Sequence, residues 1–283
     1  MSRKLILLIG MLFLFVAVGS AFGQTEDEVV ASFMKKAQKK HKTKVGFFSA
    51  NFSYGLLKDD NGFNQFTDYA NARITPGNPI FGIWRSYQLS ANFGMMLSSK
   101  TVMKFGFDYW LKMGSNQTGD YTLSIEPLGT QTDINLKSQL QVMGFSMGAD
   151  YYLTNPPDKY GVVHALALRI GATGGFYMAK WEVWEGLTSY NLVTSSFETN
   201  NDPFKDNSLG FTVTAGFDYP TPVWNMLIGL DVGYQYLNFD NIKSYNTVDE
   251  ELYLSASDSG TDRIDLDLSG FRGKIELKKF FSW

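Results

Sequence analysis

From Thr43 onward, apolar and polar residues exchange with a period of two, in eight separate segments. The first puts Phe48, Ala50, Phe52, Tyr54 and Leu56 on one face. The second does so with Tyr87, Leu89, Ala91, Phe93 and Met95. The third is the clearest, with Met103, Phe105, Phe107, Tyr109 and Leu111 alternating with Lys104, Gly106, Asp108, Trp110 and Lys112. The fourth sets Met143, Phe145, Met147, Ala149, Tyr151 and Leu153 against Gly144, Ser146, Gly148 and Asp150. The fifth runs from His164 through Leu166, Leu168, Ile170 and Ala172 to Phe176, with Arg169 and Thr173 opposite. The sixth carries Leu209, Phe211, Val213, Ala215, Phe217 and Tyr219, and the seventh Met226, Ile228, Leu230, Val232, Tyr234 and Tyr236. The eighth carries Ile264, Leu266 and Leu268, then Phe271, Gly273, Ile275, Leu277 and Phe281. To keep one apolar face through it, the phase must slip near Ser269–Gly270, as at a β-bulge.

Each segment matches the roughly 9–11 residues that a tilted strand needs to cross a bilayer. The connections alternate too. Short ones lie at 97–100, 155–158 and 220–222, and long polar ones at about 58–85, 114–138, 185–207 and 240–262. Short turns at one end and long loops at the other mark a membrane barrel. In a compact soluble domain, four structureless loops of this length would count against the strands. The pattern therefore predicts an all-β fold: an eight-stranded antiparallel up-and-down transmembrane β-barrel over 43–283, with short periplasmic turns and long extracellular loops. Aromatics gather at both ends, with Tyr151, Phe217, Trp224 and Phe280 at one and Tyr54, Trp84, Trp181 and Tyr236 at the other. Two such girdles suit the two interfaces of a membrane.

The first 42 residues are different in kind. Arg3 and Lys4 precede an apolar run from Leu5 to Val18, and Ala21 and Gly23 stand where a signal peptidase reads. Residues 1–23 are expected to be a signal peptide cut before Gln24, because the run is short for a transmembrane helix. Residues 24–42 begin with Glu26, Asp27 and Glu28 and end in lysines, with helically spaced Val29, Val30, Phe33 and Met34 between. That order suits a helix dipole, so a short amphipathic periplasmic lead-in is expected. Its lysines, from Lys35 to Lys44, could touch a membrane surface or a protein partner. Cutting away Arg3 and Lys4 moves the net charge from −3 to −5, a balance with no nucleic-acid footprint. The chain has no cysteine, which excludes disulfides, thiol chemistry and a lipid anchor at the cleavage site.

The ending Phe271-Arg-Gly-Lys-Ile-Glu-Leu-Lys-Lys-Phe-Phe-Ser-Trp283 resembles the last strand of bacterial outer-membrane proteins. That strand carries a terminal aromatic residue with apolar residues alternating back from it, and Trp283, Phe281, Leu277 and Ile275 fit. Lys279 departs from the pattern by placing a base on the outward face, where its stem can snorkel to the interface. In layout the chain is similar to eight-stranded barrels of the OmpA membrane-domain, OmpX and OmpW type, and no signature separates these subfamilies. The resemblance implies residence in the cell outer membrane, contact with its lipid, insertion by the barrel assembly machinery through the terminal strand, and no cofactor.

Charges predicted to face the lumen are balanced, with Lys104, Lys112, Arg169, Arg272 and Lys274 against Asp108, Asp150, Asp218, Asp231 and Glu276. Eight strands enclose an interior that side chains can fill. Buried charges persist when paired, so an ion-pair plug is expected; a selective pore would show an excess of one sign. Inward glycines such as Gly106, Gly144 and Gly229 would either receive large neighbours or leave a small cavity.

Catalysis finds little support. Histidine occurs only at His41 and His164, neither with a placeable serine and carboxylate. No metal spacing is present, and the acidic stretch Asp258-Ser-Gly-Thr-Asp262 reads as a solvated turn. The first long loop is unusually apolar, and Phe63, Phe66, Tyr69, Phe81 and Trp84 are expected either to pack over the barrel mouth or to contact a partner. The leading expectation is a non-enzymatic outer-membrane barrel that stabilises the envelope or presents loops for binding. Two alternatives stand beside it: a narrow passive channel for small or apolar solutes, and an accessory subunit of an export or assembly complex.

Overall fold

The computed structural model describes residues 44–73, 81–117, 132–158, 160–189, 197–199, 203–221, 226–245, 251–254 and 263–282. The expected signal peptide, the lead-in over 24–42, Trp224, Asp258, Asp262 and Trp283 lie outside them.

Eight strands close into a ring: β1 (Val45–Leu57), β2 (Arg85–Met96), β3 (Thr101–Trp110), β5 (Thr132–Tyr152), β6 (Ala167–Ser189), β8 (Phe204–Pro220), β9 (Leu227–Tyr236) and β14 (Gly270–Ser282). All neighbours are antiparallel, and pairing of β1 with β14 completes the barrel, so no edge is left open within the ring. The remaining pieces sit on the long-loop side: α1 (Gly62–Arg73), β4 (Met113–Gln117), β7 (Phe197–Thr199), β10 (Asn238–Phe239), β11 (Lys243–Tyr245), β12 (Glu251–Tyr253) and β13 (Leu266–Asp267). Both ends of the ring's chain meet at the short-turn side, where Val45 pairs with Ser282.

Alternation is strict where lipid and lumen exchange. In β1, Phe48, Ala50, Phe52 and Leu56 are exposed while Ser49, Asn51, Ser53 and Gly55 between them are buried. The same outward phase exposes Phe105, Phe107, Phe145, Ile170, Leu230, Val232, Phe271 and Ile275. A continuous apolar wall of this size would aggregate in water, and hydrocarbon is the solvent it fits. Every ladder bond is made within the ring, as a bilayer core demands.

The structure corrects two expectations about phase. β4 continues β3 after an interruption: Tyr109 pairs with Met143 and Met113 with Leu140, so the β3–β4 side has one residue more than β5. This bulge lies at Leu111–Lys112, and Gly114 just beyond it holds a φ of 97°. The added residue turns Lys112 to solvent while Trp110 and Met113 stay buried, so Lys112 does not belong to the lumen. The eighth strand, by contrast, has no slip. Gln235 pairs with Gly270 and Asn238 with Asp267 in one register. Ile264, Leu266 and Leu268 therefore point inward, in phase with Arg272 and Glu276, and are buried. The polarity of the interior changes with height, and that change mimics a slip in the sequence.

Candidate functional site: the barrel interior

The interior is stacked in layers. At the periplasmic end Val45, Phe47, Val102, Tyr152, Val163, Ala167, Leu227 and Phe280 form a buried apolar layer, with Phe47 and Phe280 rings 5.3 Å apart. These are inward positions at the ends of several strands, plus Val163 from the connection between β5 and β6, which is buried among them.

Directly above lies a charge cluster centred on Arg169. Its guanidinium reaches Asp150 (3.3 Å), Asp218 (3.1 Å), Asp231 (3.0 Å) and Glu276 (2.9 Å), which come from β5, β8, β9 and β14. Three lysines complete it: Lys104 on Asp150 at 2.6 Å, Lys274 on Asp231 at 2.7 Å and Lys278 on Asp218 at 3.0 Å. The count is four cations to four carboxylates, and all but Lys274 have side chains at most 8 % exposed. Tyr152 donates to Asp218 (2.5 Å) and Ser49 donates to Glu276 (2.6 Å). Arginine suits the hub because its fork carries five donors in a fixed plane. Strands β1 and β2 add no charge inside, presenting Ser49, Asn51, Ser53, Gln88, Ser90 and Asn92.

Higher up, Arg272 stands apart from that cluster. It donates to Gln88 (2.9 Å) and lies 4.1 Å over the Trp110 ring. Asp108, expected in the same network, instead accepts from Tyr177 at 3.2 Å. Of the ten expected lumen charges, Lys104, Asp150, Arg169, Asp218, Asp231, Lys274 and Glu276 meet in one cluster. Asp108 and Arg272 are buried above it, and Lys112 is outside. Lys278 is the residue that sequence reading missed. Its signal was plain, since it continues the even-numbered phase of Arg272, Lys274 and Glu276.

At the extracellular end α1 folds over the mouth. Asn61 caps it, accepting from the Asn64 N–H at 3.0 Å. Asn64 then ties the helix to the returning loop, accepting from the Ile83 N–H at 2.6 Å. Phe63 is fully buried and stacks on Trp181 at 5.0 Å, while Phe66 meets the same ring edge-on at 5.5 Å. Leu140, Leu237, Phe239, Ile242, Leu254, Ile264, Leu266 and Leu268 complete this second apolar layer. Thus the first loop divides. Phe63 and Phe66 pack inward, Tyr69 is half-buried, and Phe81 and Trp84 remain exposed at 57 % and 49 %.

The described residues of the expected assembly signal, Ile275, Leu277 and Phe281, face outward. Ile275 and Leu277 are exposed, and Phe281 stacks on Phe48 at 5.2 Å. Lys279 is exposed opposite Phe48. His164 also lies at the surface, 3.3 Å from Asp158, in the periplasmic turn below β6; His41 lies outside the described residues.

The wall and the ring decide the location. The chain is an outer-membrane β-barrel.

No family model matches it, and no curated protein does. Among solved structures it is similar to Ail, the attachment invasion locus protein of Yersinia pestis. Identity is 11 %, covering 85 % of this chain and 99 % of that one, with a TM-score of 0.36. The outer-membrane protein OprG of Pseudomonas aeruginosa aligns at 13 % identity over 85 % and 97 %, with a TM-score of 0.43. The outer-membrane protease OmpT of Escherichia coli aligns at 11 % over 85 % and 96 %, with a TM-score of 0.29. These overlaps are partial, and the barrel assignment rests on this chain's own strand pairings and apolar wall.

Proposed function

We propose that this protein is a non-enzymatic, non-conducting outer-membrane barrel that stabilises the envelope and presents its extracellular strands and loops for binding. The observation that carries this reading is the Arg169 cluster, which fills the lumen with mutually paired charges between two apolar layers. A permeation path would need mobile or one-signed groups along its length. Here each cluster charge is held by at least one opposite charge from another strand. Above the membrane, β5 and β6 run to 21 and 23 residues, far beyond the span a bilayer requires, and give the loops a rigid base. Phe81 and Trp84, exposed outside the mouth, are loop residues available to a partner.

Solute flux from protein-containing liposomes tests the reading. Small sugars and ions should leak no faster than from protein-free vesicles, whereas leakage that scales with protein content would refute it.

A second reading draws on a recess of about 610 Å3 in the lipid-facing wall, lined by Tyr54, Val213, Val232, Phe271 and Gly273 among others. A Cβ on Gly273 would meet nothing within 4 Å. This would be the place for lateral entry of an apolar solute. An accessory role in an export or assembly complex draws on the lysine-rich arm, and co-purification with and without residues 24–42 tests it. Partners unchanged by the deletion would remove its motivation.

A further inference from the structure

The outer wall carries a row of lysines at one height. Lys180 of β6 stands directly opposite Lys205 of β8, and Lys205 stands directly opposite Lys243 of β11. Directly opposed residues in a sheet share a face, and adjacent strands lie about 4.8 Å apart. The three ammonium groups are thus ranged along a line spanning two strand spacings, on the outward side; the neighbours Ala179, Trp181, Phe204, Ile242 and Ser244 are all buried. Beyond Lys243 the row continues to its partner Tyr253, over whose ring Arg263 lies at 3.7 Å.

Like charges placed directly opposite one another across strands repel. Local carboxylates relieve only the ends. Glu182 pairs with Lys180 at 2.6 Å, and Glu251 with Lys243. Lys205, in the middle, is exposed and has no ion pair or hydrogen bond among the described residues. Among the described residues, four cations along this row meet two paired carboxylates.

Height gives the row its meaning. The outward face of β6 is apolar through Leu168, Ile170, Phe176 and Met178, and that of β8 through Phe217, Val213 and Leu209. Phe176 pairs with Leu209, Met178 with Asn207, and the next outward pair is Lys180 with Lys205. The aromatic pair Phe211–Tyr236, its rings 5.4 Å apart, lies six residues further down β8. The lysines therefore start where hydrocarbon ends on the extracellular side, at the depth of the outer-leaflet headgroups. Ammonium groups at that depth make charge-assisted hydrogen bonds to phosphate oxygens.

We infer that Lys180, Lys205 and Lys243 form a binding site for the phosphorylated glucosamine headgroup of an outer-leaflet glycolipid, lipopolysaccharide. Lys205 makes the central contact, and Arg263 on Tyr253 extends the positive edge.

The test uses the full mature protein, refolded in detergent and titrated with lipopolysaccharide, with bound lipid read by native mass spectrometry. Wild type is expected to retain the glycolipid. The triple variant K180Q/K205Q/K243Q should bind it about tenfold or more weakly, consistent with losing several charge-assisted contacts. K205Q alone should lose the largest share of any single change. Lipid A stripped of its phosphates should bind wild type as weakly as intact lipid binds the triple variant. Millimolar inorganic phosphate should not displace the lipid, which distinguishes a lipid site from a site for the free ion. Heat-dependent gel mobility reports folding of each variant, and the stripped-lipid comparison needs no variant at all. Equal affinity of wild type for intact and stripped lipid, or of folded triple variant and wild type for intact lipid, would overturn the assignment.

Discussion

Replacing Arg169 by methionine is expected to cost roughly 3–5 kcal/mol of barrel stability, the usual penalty for removing one side of a buried ion pair. Arg169 is the only group that touches all four carboxylates of the cluster. Without it Asp150, Asp218, Asp231 and Glu276 face only Lys104, Lys274 and Lys278, and a negative charge remains uncompensated in a site closed to water. The lysine variant Arg169→Lys keeps the charge but loses the fork, so it should fall between wild type and Arg169→Met. Urea unfolding in lipid vesicles, followed by tryptophan fluorescence, measures the series. Lys112→Met is the control. That side chain is solvent-exposed at the bulge, and its removal should change stability by no more than about 0.5 kcal/mol. Equal losses at 169 and 112 would mean that the cluster contributes nothing.

Trp181→Ala is the second large effect expected. Trp181 is fully buried, stacks on Phe63, meets Phe66 edge-on and donates its indole N–H to Ser138 at 2.9 Å. Truncating a buried tryptophan costs about 3–5 kcal/mol. Here the loss falls on the docking of α1 rather than on the ring of strands. Amide exchange over 62–73 should therefore speed up about a hundredfold or more, while the β1–β14 ladder stays protected. The lumen should stay closed, because the Arg169 cluster and the periplasmic apolar layer are untouched. Uniformly faster exchange through the barrel would show that the extracellular layer supports the whole ring.

The architecture was legible because lipid and lumen impose opposite chemistry on neighbouring residues, and that alternation survives in the sequence. Strand count, connection lengths and the inward phase of Arg169, Asp218 and Glu276 follow from it directly. Two features did not. The bulge at Leu111–Lys112 holds no glycine or proline of its own, and Gly114 follows it only two residues later, so the period-two count carried Lys112 inward by one step. Ile264, Leu266 and Leu268 read as lipid-facing because apolar residues in a membrane strand are assigned to lipid by default. They face an apolar layer capped by α1, and nothing local distinguishes these two hydrophobic surroundings. Lys278 was a different kind of miss, since phase alone places it inside. Which carboxylates would share Arg169 was not readable at all, because the sharing depends on the stagger of five strands distant in sequence.

The lysine row shows the same limit from the outside. Lys180, Lys205 and Lys243 are far apart in the chain, and only the pairing of β6, β8 and β11 brings them to one height.

Single-channel recording from the purified protein in a planar bilayer tests the sealed interior most directly. A lumen closed by the Arg169 cluster and two apolar layers predicts a flat trace at the bilayer's own leak, across both polarities and in molar salt. Steady unitary current steps that appear with protein insertion would contradict it.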